Sequence, residues 1–151
     1  MKVLDKTLIQ LDVEVTSAEE AIRYMSDILV REGYVKEGYA ECVIKREKEY
    51  PTGLIGDGCG IAIPHTNPEY VLKPAICILI PKDPVLFTLM GTRDKEVMAE
   101  IIMPLVIKDN KMQIDILKKV MDLLKDNRTL YRIRDCRDKD QILEMLSFLE
   151  E

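Results

Sequence analysis

The sequence predicts a single α/β domain over residues 1–151, with helices flanking both faces of a mixed β-sheet. Its patterns run in the order strand, two helices, several strands, then two or three helices, which favours an α/β sandwich over a regular βαβ repeat. Two strand patterns are continuously apolar, as expected of strands buried on both faces. A chain of 151 residues with 47% apolar and 32% charged residues is large enough for one core without disulfides.

The first third of the chain holds one strand pattern and two helix patterns. Residues 8–15 alternate apolar and polar side chains, which is typical of a half-buried strand. The first helix begins with Ser17 and Glu20 at capping-box spacing and ends at Gly33. A second helix is predicted from about Lys36 to Glu49, because a proline two residues later stops it.

The middle of the chain supplies most of the predicted sheet. Its apolar strand patterns cover residues 60–64, 75–80 and 100–107. Pro104, in the last of them, cannot donate a hydrogen bond to a neighbouring strand, so that strand is expected near an edge of the sheet or at a bulge.

The chain after Asn110 is predicted to be helical. A final helix is expected from about Asp138 to Leu149, and an amphipathic helix precedes it. Four apolar residues recur at helical spacing on one side of that earlier helix: Ile114, Leu117, Met121 and Leu124.

Composition and charge argue against several classes of protein. The formal net charge of -5 disfavours a general nucleic-acid or acidic-membrane surface. No apolar run approaches the roughly 20 residues of a membrane span. Asp5, Lys6 and Asp12 interrupt the N-terminal apolar segment before a secretory signal could form. The four cysteines form no C-x-x-C pair and are expected to be reduced thiols, so we expect a cytoplasmic protein.

The only histidine, His65, follows a stretch rich in glycine, PTGLIGDGCGIAIPH. Glycines allow a tight turn that aims several backbone N–H groups at one point, and such a nest binds anions. Pro64 stiffens the residue before the imidazole. An imidazole beside an anion site suits phosphoryl chemistry on histidine. A hydrogen-bonded structural histidine is the commoner case at a strand end, and spacing alone leaves both interpretations open.

Other interpretations of this stretch have less support. No lysine follows the last glycine, as a P-loop requires, and the loop enters a strand rather than the helix of a dinucleotide-binding motif. Cys59 and His65 are too few for a zinc site, which needs three or four ligands, so we expect neither metal nor cofactor. A hydrolytic pair of His65 with Cys59 or Cys42 lacks a local signature.

Three segments carry a resemblance to a known family: REKEYPTG, GIAIPHT and the helix start DNKMQIDILKKVMDLL. Together they resemble the IIA domain of the phosphotransferase system (PTS), in the fructose/mannitol superfamily. The similarity extends over nearly the whole chain, and PTG…GIAIPH is a specific signature. IPHT and the longer glycine loop are most similar to the galactitol-type branch. The implied fold is the type 2 IIA fold, a mixed sheet between helices.

The resemblance implies a phosphocarrier. In the family, the histidine of the PH motif, His65 here, accepts a phosphoryl group from phospho-HPr and passes it to a cysteine of a IIB partner. The domain itself does not bind the sugar or enter the membrane, where the IIC component lies. The arginine of the RE pair, Arg46 here, lies at the family's active site, where its fork of donors suits phosphoryl oxygens. Thr66 and the loop N–H groups, including that of Gly60, are expected to complete the site.

One position departs from the mannitol-type pattern. A second histidine of those relatives falls on Gln113 here. The Gln113 amide could donate to a phosphate, or it could be a solvated side chain at a helix start, and the sequence leaves both open. Partners are expected to dock on an apolar patch near His65, for which the candidates are Leu54, Ile55 and residues 85–89.

Two functions are compatible with these features. The first is a free-standing IIA phosphocarrier of a sugar phosphotransferase system. The alternative is a regulatory IIA-like protein of the nitrogen type, which signals through the phosphorylation state of His65. The sugar cannot be named from this sequence, because specificity in such systems lies mainly in the membrane component.

Overall fold

The chain follows the predicted order of strands and helices. In the computed structural model, which describes residues 2–151, the elements are β1 (Ile9–Val13), α1 (Ala18–Arg31), α2 (Tyr39–Glu49), β2 (Gly53–Ile55), β3 (Gly60–Ala62), β4 (Ala75–Ile76), β5 (Ile78–Pro81), β6 (Val85–Thr88), β7 (Glu96–Ile102), β8 (Leu105–Val106), α3 (Asn110–Leu124), α4 (Asn127–Asp135) and α5 (Lys139–Met145). Short 3₁₀ turns cover Lys6–Leu8, Pro68–Tyr70 and Ser147–Glu150.

The main sheet is mixed and has β7 near its middle. The strand order is β1-β5-β7-β3-β2, and β6 also pairs with β7. β1 runs parallel to β5, and β3 runs parallel to β7, whereas the remaining pairs of this sheet are antiparallel. β4 and β8 form a separate antiparallel pair. The prediction of a mixed sheet is therefore confirmed.

Helices cover both faces of this sheet because neighbouring strand residues point to opposite sides. One core lies under α3, α4 and α5, and the other lies under α1 and α2. Fully burying an Ile or Leu side chain contributes about 1.5–3 kcal/mol to the free energy of folding, so both layers add substantially to stability. The strand residues alternate between the cores: Ile61, Ile78 and Ile101 belong to the first, and Ala62, Leu79 and Ile102 to the second.

The predicted start of α1 is confirmed in its main feature. The Ser17 hydroxyl accepts a hydrogen bond from the backbone N–H of Glu20 at 3.1 Å. The Glu20 carboxylate accepts from the Thr16 hydroxyl instead of closing the reciprocal half of a capping box. The predicted second helix begins later than expected, at Tyr39, because Gly38 adopts a φ of 94° and cannot continue a right-handed helix.

Of the two alternatives predicted from Pro104, the edge position is wrong, whereas a register shift of the bulge type does occur in the same strand. β7 is an internal strand that ends at Ile102, and Pro104 lies in the gap before β8, where it needs no ladder donor. Its carbonyl accepts from the Cys77 N–H at 2.9 Å, across the similar gap between β4 and β5. The register of β7 does shift, but at Glu100, between the pairs made by Gly60 and Ile61.

The apolar side predicted for α3 faces the core only in part, since Leu117 and Leu124 pack against it while partly buried. Ile114 is 60% exposed and Met121 is 37% exposed. The helix carries two apolar stripes, and only contact with the sheet decides between them. The buried stripe consists of Met112, Ile116, Val120 and Leu123. No helix within residues 2–151 is both long and apolar enough to cross a membrane.

Candidate functional site

His65 lies just beyond the C-terminal end of β3, where the extended chain remains hydrogen-bonded to the segment after β7. The Ala62 carbonyl accepts from the Met103 N–H at 2.7 Å, and the Pro64 carbonyl accepts from the Leu105 N–H at 3.0 Å. The backbone that leads into His65 is therefore held as part of the sheet, as expected for a histidine at a strand end.

The His65 imidazole is buried and orientated by the backbone. Only 7% of the residue is exposed, and Nδ1 lies 2.7 Å from the Ile63 carbonyl oxygen. A carbonyl oxygen can only accept, so Nδ1 carries the proton and Nε2 holds the free lone pair in the neutral ring. Burial lowers the pKa of His65, and the nearby charge of Arg46 lowers it further, whereas the Ile63 hydrogen bond opposes the shift. The resting imidazole is therefore neutral and nucleophilic at Nε2.

Arg46 lies in the last turn of α2 and keeps its guanidinium donors free. The guanidinium carbon lies 5.1 Å from the centre of the Tyr50 ring, a cation–π contact. Within residues 2–151, Arg46 forms no ion pair and no side-chain hydrogen bond. Its charge acts on the His65 imidazole, so these two predicted residues lie within electrostatic range of each other.

Arg46 and Thr66 line one small open cavity of about 200 Å³. The Thr66 side chain also has no hydrogen bond within residues 2–151. A cation and an unpaired hydroxyl suit a small anion such as a phosphoryl group, although the His65 side chain does not itself line this cavity. The other lining residues are Cys42, Lys45, Glu49, Asn67, Glu69 and Tyr70.

The structure does not bring Gly60 to His65. Gly60 pairs with Ile55 in the hairpin of β2 and β3, at the opposite end of β3 from the imidazole. Five extended residues span roughly 16 Å. The hairpin turn packs on α4 instead, where Gly58 adopts a φ of 83° beneath Tyr131. The expected glycine cradle around His65 is therefore corrected: Gly60 allows close packing against the backbone of Met98.

Cys59 lies in the same turn and faces a charged pair rather than His65. Its Sγ is 3.5 Å from a carboxylate oxygen of Glu100, which pairs with Arg134 at 2.9 Å. Burial, reinforced by the Glu100 charge, raises the pKa of the Cys59 thiol to about 12. This thiol is therefore protonated and unsuited to nucleophilic attack. Within residues 2–151, no cluster of three or more His, Cys, Asp or Glu side chains could hold a metal ion.

Gln113 lies in the first turn of α3, as predicted. Its backbone N–H donates to the Asp109 carbonyl at 3.1 Å, and its side-chain amide forms no hydrogen bond within the described chain, residues 2–151. It does not line the cavity that Arg46 and Thr66 share. The amide is free to donate, but no contact joins it to His65.

The suggested docking residues divide into buried and exposed ones. Leu54, Val85 and Phe87 belong to the core, whereas Ile55 is 64% exposed and Leu86 is 46% exposed. Because Ile55 pairs with Gly60, it lies at the hairpin end of β3 rather than beside His65.

Glu47 is a residue near the site that the sequence reasoning missed, because a run of charged residues at a helix end is typical of a solvated face. Its carboxylate is partly buried and accepts two hydrogen bonds from Thr52, from the hydroxyl at 2.7 Å and from the N–H at 2.8 Å. Burial raises the pKa of Glu47 to about 7, against the lowering effect of both bonds. The Pro-Thr-Gly segment directly after the helix was the available signal, since a threonine there can reach back to the last turn.

The comparisons with known proteins identify the family of this chain. Residues 2–148 match the family described as "Phosphoenolpyruvate-dependent sugar phosphotransferase system, EIIA 2". The mannitol-specific EIICBA component of Escherichia coli (strain K12) is 30% identical over 132 residues, which is 85% of this chain and 20% of that protein. The galactitol-specific EIIA component of the same strain is 26% identical over 99 residues, 66% of this chain and 65% of that protein.

A solved structure supports the same assignment. It is the complex of enzyme IIA for mannitol with phosphorylated enzyme IIB from Escherichia coli, at 26% identity and a TM-score of 0.76, covering 97% of this chain and 99% of that one. The chain spans only about a fifth of the length of the mannitol EIICBA relative. Both mannitol and galactitol components match, so the galactitol-type branch is one fit among these. The chain belongs to the EIIA 2 family of the phosphoenolpyruvate-dependent sugar phosphotransferase system, a family of phosphoryl-transfer proteins.

Proposed function

We propose that this domain carries a phosphoryl group on Nε2 of His65, receives it from phospho-HPr and delivers it to the cysteine of a IIB partner. The observation that carries this proposal is the 2.7 Å contact between His65 Nδ1 and the Ile63 carbonyl, because it leaves Nε2 as the nitrogen with a free lone pair.

In the first step, the Nε2 lone pair attacks phosphorus and the bond from phosphorus to the donor nitrogen of HPr breaks. In the second step, a IIB thiolate attacks the same phosphorus, the P–Nε2 bond breaks and the electron pair returns to Nε2. The proton stays on Nδ1 throughout, held by Ile63. The phosphorylated ring is then cationic and leaves as neutral imidazole, which makes the second step easy.

Arg46 is the proposed electrostatic catalyst. Phosphoryl transfer depends on positioning and on stabilising the charge of the equatorial oxygens. A guanidinium with no carboxylate partner within residues 2–151 can direct its planar fork of donors at those oxygens. We propose that the Thr66 hydroxyl, in the same cavity, and the free Gln113 amide donate further hydrogen bonds to the phosphoryl group.

The proposed acceptor is a IIB-type protein. The mannitol IIA of Escherichia coli forms a complex with phosphorylated IIB, and it resembles this chain over almost its full length. Matches to both mannitol and galactitol components make the corresponding IIB proteins the first acceptors to test. We propose that the domain serves sugar transport in this way.

The test is incubation with phosphoenolpyruvate, enzyme I and HPr, followed by intact-mass measurement. We expect one acid-labile phosphoryl group per chain, absent from His65→Ala. Subsequent addition of a mannitol-type or galactitol-type IIB should remove it and label the IIB cysteine. An adduct that persists in His65→Ala would contradict the assignment of the acceptor, and retention of the group with every IIB would contradict the role in transport.

A further inference from the structure

We propose that Glu47 is a positioning residue that joins the helix carrying Arg46 to the strand segment carrying His65. The proposal deepens the proposed function and rests on it, since it assigns a role in the same phosphoryl transfer. Glu47 directly follows Arg46 in α2, so any contact that anchors Glu47 also sets the place of Arg46.

The first link joins α2 to the segment that follows it. The Glu47 carboxylate receives both donors of Thr52, with the hydroxyl on Oε1 at 2.7 Å and the backbone N–H on Oε2 at 2.8 Å. Two bonds from one residue fix the orientation of the carboxylate plane as well as its distance from Thr52. Thr52 is only 4% exposed, so water competes little for either bond.

The next links run from Thr52 to the imidazole. The Thr52 carbonyl accepts from the Ile63 N–H at 3.3 Å, which places Thr52 beside the extended segment after β3. The carbonyl of the same Ile63 accepts from His65 Nδ1 at 2.7 Å. Glu47, Thr52, Ile63 and His65 therefore form one continuous path from the helix to the reacting ring.

The cost of burying Glu47 indicates that its geometry matters. Within residues 2–151, Glu47 has no ion-pair partner, although Lys48 and Arg93 line the same cleft. A carboxylate removed from water without a cation is unfavourable, and two neutral hydrogen bonds offset only part of that penalty. The benefit of burying Glu47 is geometric, because the reacting groups lie on two separate elements, α2 and the β3 extension. A shift of about 1 Å between them can reduce the transfer rate by roughly 100-fold.

The experiment measures two properties of the full chain. Imidazole ¹H–¹⁵N NMR of the unphosphorylated protein reports which His65 nitrogen carries the proton. Single-turnover transfer from phospho-HPr, at a series of HPr concentrations, separates the maximal rate from apparent affinity. For Glu47→Ala we expect a mixture of the two tautomers and a maximal rate reduced by about 10-fold to 100-fold, with the apparent affinity for HPr unchanged.

The conservative variants sharpen this test. Thr52→Val removes the hydroxyl while keeping the backbone donor, so we expect a smaller change in the same direction. Thr52→Ser restores the hydroxyl and should recover the wild-type tautomer and rate. Glu41→Ala is the matched control, because it removes another carboxylate of α2, one that is exposed and paired with Arg23. It should alter neither measurement.

Several outcomes would overturn the proposal. If Glu47→Ala lowers the melting temperature but keeps the Nδ1-protonated tautomer and the wild-type rate, Glu47 serves stability alone. If Glu47→Ala does not fold, Thr52→Val decides, and unchanged tautomer and rate in that variant overturn the proposal. If the wild-type protein accepts no phosphoryl group, the proposed function fails, whereas the NMR measurement still decides whether Glu47 positions His65.

Discussion

One arginine lies towards each end of β3, and the two arginines differ in whether their donors are paired. Beyond its C-terminal end, Arg46 lies near the neutral His65 without a carboxylate partner within residues 2–151. At the hairpin before its N-terminal end, Arg134 pairs with Glu100 and with Asp135, each at 2.9 Å. One arginine has its donors free, and the other has them occupied.

This difference indicates that one arginine serves anion binding and the other serves stability of the fold. A guanidinium that already satisfies two carboxylates has little to offer a phosphoryl group, and it contributes to holding β7 and α4 together. A guanidinium held only by a ring contact contributes little to the fold but remains available to an incoming anion. The glycines of the loop therefore do not show which end of β3 can bind an anion, whereas the hydrogen-bond partners of the two arginines do.

The largest effect on stability is expected for Gly60→Ala at the hairpin end. An added Cβ would overlap the Met98 carbonyl oxygen, which belongs to the backbone of β7 and cannot move aside cheaply. We expect a loss of about 3 kcal/mol in the free energy of unfolding, measured by urea denaturation. The phosphorylated fraction of the folded protein should not change. Normal stability with reduced phosphorylation would instead restore Gly60 to the phosphate site.

The next largest effect is expected when each of the two arginines is replaced by alanine. For Arg46→Ala we expect phosphoryl transfer to slow by about 30-fold to 100-fold, because charge stabilisation at the transferring group is lost, while unfolding changes little. For Arg134→Ala we expect the converse: transfer at the wild-type rate and a loss of about 1 kcal/mol in unfolding free energy, since the ion pair is partly exposed. Single-turnover kinetics and denaturation of both variants check this. Equal effects in both assays would remove the distinction.

The smallest effect concerns the titration of His65. Burial and the Arg46 charge hold the pKa of His65 below its usual value, so Arg46→Ala should raise it, as NMR titration would show. Because the folded pKa is depressed, the unfolded chain takes up a proton first as the pH falls below about 6.5. Stability due to His65 is therefore lost on acidification through that range. Denaturation of the wild type and of His65→Gln at matched pH isolates the contribution of His65 to the free energy of unfolding. A difference in unfolding free energy between the two proteins that does not change with pH would contradict a buried neutral imidazole.

Local patterns predicted the elements of the fold well. The Ser17 cap and the order of strands and helices were confirmed because they depend on neighbours within one or two turns. The position of His65 at a strand end followed from the same kind of pattern. Its assignment as a phosphoryl acceptor came from the PTG…GIAIPH resemblance and stays a proposal.

Longer-range features were predicted less well. The buried stripe of α3 contains Ile116 rather than Ile114, because both stripes are apolar and only the sheet selects one. Gly60 lies away from His65 because β3 separates the ends of the loop, a distance that closeness in sequence conceals. Glu47 was not predicted, because its partner, Thr52, reaches it only after the chain has left the helix.

The sequence by itself determined a mixed α/β fold, the Ser17 cap and the one imidazole available for phosphoryl chemistry. These features depend on composition and on contacts between residues close in the chain. Only the tertiary structure decided that Nε2 of His65 is the free nitrogen, that Arg46 is unpaired within residues 2–151, and that the glycine turn stabilises the fold. These properties depend on which groups segments far apart in the chain bring together, and on how much water they exclude.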